Sequence, residues 1–330
     1  MSKKALQRIP LLKLLDLKVD FAFKQLFGSE RNKHITIVFL NAILQRTGRA
    51  TITEAMFLNQ ELGGEYQDDK QSRLDIVVKT QAGELINIEM QLSTQQDMFK
   101  RTMFYWSRLF TTQLQKGHGY HTLRPTITIN ICHFTLFEEI AHYHSTYHLY
   151  EDTLLQRLRP IDDVLEIHFI EMDKFLHAWF NQTLNTLDDI FVRWLLLLGM
   201  VDARKQKTYD DIYQELEALA MKDENLQQAL SAWEELSQTP ETIIAYQSRL
   251  KYMIDEVAKL EDAKYHAQQE GMKKGIEQGI EKGIEKGIEQ GFKAVAKNMI
   301  ATGYNNEQIM QLTSLTIEEV LLLRAEFEVE

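Results

Sequence analysis

Residues 72–93 read SRLDIVVKTQAGELINIEMQLS, and their alternation decides the fold of the first half of the chain. Two runs of apolar, β-branched residues, 73–79 and 85–91, flank Gln81-Ala82-Gly83. That spacing predicts a β-hairpin with a three-residue loop, in which glycine takes the left-handed position. Pairing Thr80 with Glu84 carries the register down to Asp75, opposite Glu89. Side chains alternate between the faces of a strand. Asp75, Val77, Asn87, Glu89 and Gln91 therefore share one face, and Ile76, Val78, Ile86, Ile88 and Met90 form the core face. Two carboxylates directly across a sheet have β-carbons about 5 Å apart and repel. Removing either acid should relieve that repulsion, and a divalent cation with hard oxygen ligands would neutralise it. An ordinary solvated face with two unrelated acids, or a bulge that breaks the register, is the plain alternative.

Outward from the hairpin, residues 20–47 show helical apolar spacing through Phe23, Phe27, Ile35, Val38, Phe39 and Ile43, with one break at Gly28-Ser29. Residues 97–116 read as a helix ending at Gly117; 125–134 and 164–172 read as strands. From 173 onward the pattern is helical almost to the end. The fold class expected is mixed α/β: a central mixed sheet flanked by helices, followed by an all-helical C-terminal region. Within the latter, 271–291 is an internal repeat, GMKKGIEQGIEKGIEKGIEQG. Glycine stands at 271, 275, 279, 283, 287 and 291, and each is followed by Met272, Ile276, Ile280, Ile284, Ile288 or Phe292.

A chain of 330 residues with 44% apolar content can bury a large core. Its single cysteine, Cys132, excludes an internal disulfide and suits a reducing cytoplasm. The N-terminus lacks the pattern of a signal peptide, and the longest greasy run, 194–201, is too short to span a bilayer. A cytoplasmic protein is expected. The net charge is -11, which by itself disfavours a phosphate-rich partner. The distribution is uneven, however. Residues 1–35 carry eight Lys/Arg against three acids and 97–125 carry five against one, whereas 208–265 carry five against thirteen. The front half can face phosphates and the back half cannot.

Asp75 followed by Glu89-Met90-Gln91 across a hairpin resembles the PD-(D/E)XK nuclease motif, with glutamine in place of the usual lysine. The wider string resembles the recombination-promoting nucleases of the Rpn family, which are transposase-like. It includes DFAFKQLFG (20–28), FLNAIL (39–44), SRLDIVVKT (72–80), ELINIEMQLS (84–93), KRTMFYWSRL (100–109) and EIHFIEMDKF (166–175). The resemblance covers roughly 12–200 and is most specific over 72–109. It implies a restriction-endonuclease-like core and a hydrolase that cuts DNA with Mg²⁺ or Mn²⁺, linked to DNA recombination, mobile elements or phage defence. It also implies that Asp75 and Glu89 bind the metal, helped by a backbone carbonyl near Met90, and that Gln91 holds the attacking water. Lys24 would then supply the charge that glutamine lacks, with Asp20 as a further acid. The alternative for these two is a simple ion pair one helical turn apart.

On the helix after the motif, Phe99, Met103, Trp106 and Phe110 form an apolar stripe expected to face the core. Arg101, Tyr105 and Arg108 run along nearly the opposite face, as phosphate contacts or as an exposed polar surface. His133, His142, His144 and His148 lack zinc-ligand spacing. Residues 293–330 suggest helix-turn-helix, but three basic residues against six acids favour a small packing module.

The domain division expected is a nuclease domain at 1–205, an acidic helical region at 206–265, the repeat helix at 266–292 and the tail module at 293–330. Gly-xxx-Gly spacing lets helix backbones approach closely. It predicts a homo-oligomer through 271–292, with an idle spacer as the alternative. The function expected is a metal-dependent DNA endonuclease. The alternative is a non-catalytic, transposon-derived or toxin-like protein that binds DNA or assembles without cutting.

Overall fold

The computed structural model describes residues 9–44, 49–58, 61–62, 72–73, 75–92, 97–114, 116–158 and 163–329. Lys3, Lys4 and Arg8 of the basic N-terminus, residues 45–47 of the expected first helical stretch, and Leu74, Ser93 and Gln115 lie outside the described residues.

The chain divides into two compact units, 1–255 and 256–330. The first is built on a six-stranded mixed sheet. Its strands are β1 (Ala55–Phe57), β2 (Ile76–Thr80), β3 (Leu85–Gln91), β4 (Thr126–Cys132), β5 (His144–Tyr147) and β6 (Leu165–Glu171). Their order is β1-β2-β3-β4-β6-β5. The β2–β3 hairpin has the register read from the sequence: Ile76 faces Ile88 and Val77 faces Asn87. Gly83 sits at φ +82°, a conformation that costs glycine little and other residues more.

β3 and β4 run parallel, Glu89 beside Asn130. Parallel neighbours need a crossover. Helix α3 (Met98–Thr111) supplies it and packs over β3 and β4. β4 and β6 are also parallel, while β5 lies antiparallel at the edge.

Helices cover both faces, so strands that alternate in sequence are buried on both sides. On one face, Ile76, Val78, Ile86 and Ile88 join α1 (Asp20–Phe27), α2 (Lys33–Leu44) and α5 (Ile190–Gly199) in the main core. There Trp194 meets Phe27 and Phe39 edge-on, with ring centroids 6.2 and 5.9 Å apart. The break between α1 and α2 falls at Gly28, where a β-carbon would lie 2.8 Å from the Lys24 carbonyl oxygen. The same core takes in α6 (Asp210–Ala220) and α7 (Glu224–Leu236) through Leu216, Leu230 and Trp233.

Two expectations need correction. The helix expected at 97–116 ends at Thr111, and a turn precedes Gly117. Its fully buried residues are Met98, Thr102 and Leu109; of the stripe read from hydrophobicity, Met103 and Trp106 pack half-buried on a cluster with Cys132, Ile167 and Phe169, while Phe99 is 44% exposed. The sheet under α3 is polar on this face, so Thr102 finds a hydrogen-bond partner there in Asn130 (3.2 Å). The helical region after 173 also contains a short antiparallel ribbon, 201–202 with 207–208.

α4 (Met172–Phe180) follows β6 directly, and α8 (Pro240–Ala301) includes the whole glycine repeat. In the second unit, α9 (Asn306–Thr313) and α10 (Ile317–Val329) enclose a small core of Ala296, Met299, Ile300, Ile309, Leu315, Val320 and Leu323. A capping box at Asn305 and Gln308 satisfies orphan N–H groups at the start of α9. Among the described residues no helix is long and apolar enough to cross a membrane.

Candidate active site

The hairpin register puts Asp75 and Glu89 against one another on the face beneath α3. Both are buried, at 7% and 3% exposure, and so is Gln91 at 7%. The Asp75 N–H points at Glu89 Oε1 (3.3 Å), and the Met90 N–H donates to Asp75 Oδ2 (2.8 Å). A strand residue directs its N–H and C=O to the same edge. The Met90 carbonyl therefore lies on the side that Asp75 occupies. Asn87 Nδ2 donates to Glu89 Oε1 (3.2 Å), and Gln91 Nε2 donates to Glu89 Oε2 (3.3 Å). The face is therefore not the solvated surface of an isolated hairpin.

Helix α1 brings Lys24 to the pair. Its ammonium lies 2.8 Å from Asp75 Oδ1 and is partly buried. The one-turn ion pair between Asp20 and Lys24 does not form. Asp20 is instead gripped by Arg249 from α8, Nη2 to Oδ2 at 2.7 Å and Nε to Oδ1 at 2.8 Å. Asp20 nonetheless lies close enough to raise the Asp75 pKa by its charge.

From α3, Arg101 Nη1 donates to Gln91 Oε1 (3.5 Å) and Nε to the Tyr105 hydroxyl (3.2 Å). Tyr105 packs on Val77, Leu85 and Leu109. Arg108 lies over the Phe104 ring, 5.7 Å from its centroid. Arg101 thus stands at the site itself, and Arg108 lies further along the helix.

Burial dominates the electrostatics. It raises the pKa of both acids, because a carboxylate loses its water. On Asp75 the Lys24 ammonium and the Met90 N–H oppose the rise. Glu89 is pushed up to about 8 by burial and then by the neighbouring Asp75 charge, with Asn87 and Arg101 opposing. The Lys24 ammonium and the Met90 N–H favour the ionised form of Asp75, whereas among the described residues Glu89 has no ammonium beside it.

Two carboxylates and a backbone carbonyl are hard oxygen donors, and Mg²⁺ keeps several waters beside such a partial set. Among the described residues no three His, Cys, Asp or Glu side chains gather. A cation here would draw on these two acids, main-chain oxygen and water. The buried, unpartnered Asn87 Oδ1 beside Glu89 is a further oxygen without a hydrogen-bond donor. The residues present fit a divalent cation.

The PD-(D/E)XK nuclease family transposase profile matches residues 17–263, three quarters of the chain. The chain belongs to that family. No curated protein and no solved structure matches it. The family match runs past the stretch whose resemblance is legible by eye, through α6, α7 and the first part of α8. The helices that carry Arg249 to Asp20 are thus part of the family domain. Sequence reading missed Arg249, which is 229 residues from its partner and gives no local signal. It also missed the grip of Asn87 on Glu89. Asn87 was placed on the correct face, but alternation says nothing about which side chains on a face touch.

Proposed function

We propose that this family member is a divalent-metal-dependent DNA endonuclease that hydrolyses phosphodiester bonds with Mg²⁺ or Mn²⁺. One observation carries the reading: Asp75 and Glu89 are buried face to face beside the Met90 backbone, with one ammonium supplied to Asp75 alone. A purely structural contact has little reason to bury a second carboxylate without a cation of its own, where burial drives it to take up a proton.

In this reading Asp75 and Glu89 hold the metal. When bound, it lowers the pKa of a coordinated water and offsets the charge that builds on the phosphoryl oxygens. Lys24 holds Asp75 in its ionised form and supplies the positive charge that glutamine lacks. Gln91 orients the attacking water through its amide, which Arg101 steadies from the other side. Asp20 adds negative charge behind Asp75 and is itself held by Arg249. Arg101, Tyr105 and Arg108 contact the nucleic-acid backbone along α3.

The glycine repeat supports a homo-oligomer. Met272, Ile276, Ile280, Ile284 and Ile288 are each more than half exposed, and a β-carbon added at any repeat glycine meets nothing within 4 Å among the described residues. No packing among those residues accounts for that spacing. A second copy would, and two copies would present two sites for the two strands of a duplex. The single cysteine, buried and free, supports a cytoplasmic setting. The link to recombination, mobile elements or defence rests on the family.

Plasmid cleavage with Mg²⁺ or Mn²⁺, with and without EDTA, tests the activity. Nicking or linearisation should vanish in EDTA and in folded Asp75→Ala and Glu89→Ala proteins. Folded variants that cut as fast as the natural chain would overturn the assignment and favour the non-catalytic alternative, a DNA-binding or assembly protein.

A further inference from the structure

The ribbon after α5 carries three cations, Arg204, Lys205 and Lys207, outside the basic stretches read from the sequence. Val201 pairs with Thr208 and Asp202 with Lys207, and the turn between them carries Arg204 and Lys205. The turn is fixed from below. Asp16 Oδ2 accepts the Ala203 N–H (2.8 Å), and Asp202 Oδ1 accepts the Lys205 N–H (3.1 Å). Lys18 donates to the Val201 carbonyl and pairs with Asp16 Oδ1 (2.7 Å). Arg204 Nη1 donates to the Leu92 carbonyl (3.2 Å), one residue beyond Gln91. Leu92 follows Glu89 by three residues, a span of about 10 Å in extended chain.

The cations here are exposed, and the two acids that fix the turn are not. Arg204, Lys205 and Lys207 are exposed, whereas Asp16 and Asp202 are buried at 2% and 4%. Lys205 makes only a long contact with Asp202, 3.5 Å, while 62% exposed. Lys207 lies over the Tyr209 ring, 4.5 Å from its centroid. Asp173 is an exposed acid close enough to feel Arg204, Lys205 and Lys18, and Asp210 and Asp211 at the start of α6 are exposed as well. His133, whose N–H donates to the Gln91 carbonyl (2.9 Å), is buried with its Nε2 unpartnered. Burial first, and then the charges of Lys18, Arg204 and Lys205, hold its pKa well below the ordinary value.

We propose that the Arg204–Lys205 turn, with Lys207 beside it, is a second phosphate-binding element that holds the DNA backbone close to the bond being cut. The inference rests on the nuclease reading and extends it. A turn fixed by Asp16 and by the Leu92 carbonyl keeps its register with the acids, so its charges position the backbone and do more than attract it.

The test is binding of a fluorescein-labelled 20-base-pair duplex to the full chain in EDTA, where nothing is cut, over a series of salt concentrations. Each duplex phosphate that the protein no longer neutralises lowers the log–log salt slope by about 0.9. Arg204→Ala/Lys205→Ala should lower it by about one to two and weaken binding at every salt concentration. Lys205→Gln alone, at an exposed position outside the core, should lower it by about 1 and serves if the double variant melts early. A folded variant with the natural slope overturns the proposal while leaving the nuclease reading intact. A natural chain that binds no duplex overturns the DNA reading, and this inference with it. A slope change on RNA but not on DNA overturns the choice of DNA as occupant.

Discussion

Glu89→Gln should stabilise the metal-free protein, and the gain should grow with pH. In the folded chain Glu89 titrates at about 8, against 4.5 for its ordinary value. Between those two values the folded state binds a proton that the unfolded state has released. Stability therefore falls as pH rises through that window, is undiminished below about 4.5, and levels off above about 8. Each unit is worth 1.36 kcal/mol, so the burden is about 3 kcal/mol at pH 7 and about 5 kcal/mol at pH 9. Glutamine carries no such proton and removes the slope. It keeps an oxygen for the Asn87 amide and the Asp75 N–H, but turns its own amide toward Gln91 Nε2, at a cost of about 1 kcal/mol. The net gain expected is about 2 kcal/mol at pH 7, rising with pH and vanishing near pH 5. Asp75→Ala should behave in the opposite way, because it strands the Lys24 ammonium and the Met90 N–H. The simple expectation that either acid relieves repulsion thus divides in two. Urea unfolding in EDTA at pH 5, 7 and 9 measures the effect, and Mg²⁺ should then restore stability to the natural chain but not to Glu89→Gln. A difference between the two proteins that stays constant over that pH range would refute the assignment of the proton to Glu89.

Three other outcomes are expected. Gln91→Ala should lose most cleavage, while Gln91→Lys, which restores the commoner motif, keeps it or changes it modestly; normal kinetics in the alanine variant would show that Gln91 does not position water. Arg101→Ala/Arg108→Ala should weaken DNA binding nearly uniformly across sequences and lower the salt slope by about 0.9 per phosphate, and an unchanged slope would return that face of α3 to solvent. A chain ending at Gln269 should fall to a lower oligomeric state by light scattering than the full chain. Equal oligomeric states, or a full chain that is monomeric at micromolar concentration, would remove the repeat as the association element.

The hairpin was legible because its determinants are local. A three-residue loop ending in glycine sets the register, and a period of two assigns every side chain to a face, so Asp75, Glu89 and Gln91 follow from about twenty consecutive residues. The break at Gly28 and the helical repeat are local in the same sense. The register of α3 against the sheet was not, because hydrophobicity assumes an apolar surface and this helix lies on Asn130 and the acids. Of the neutralising partners, Lys24 was expected at the site from the resemblance, but Arg249 was not legible. Lys24 pairs with Asp75 and leaves Asp20, four residues away, to Arg249; Arg204 reaches the Leu92 carbonyl from 112 residues on. No periodicity encodes such pairs. The Lys24 pair exists because the fold buries Asp75, and a buried charge is stable only beside an opposite charge, wherever that lies along the chain; the other two form because the fold brings distant segments together.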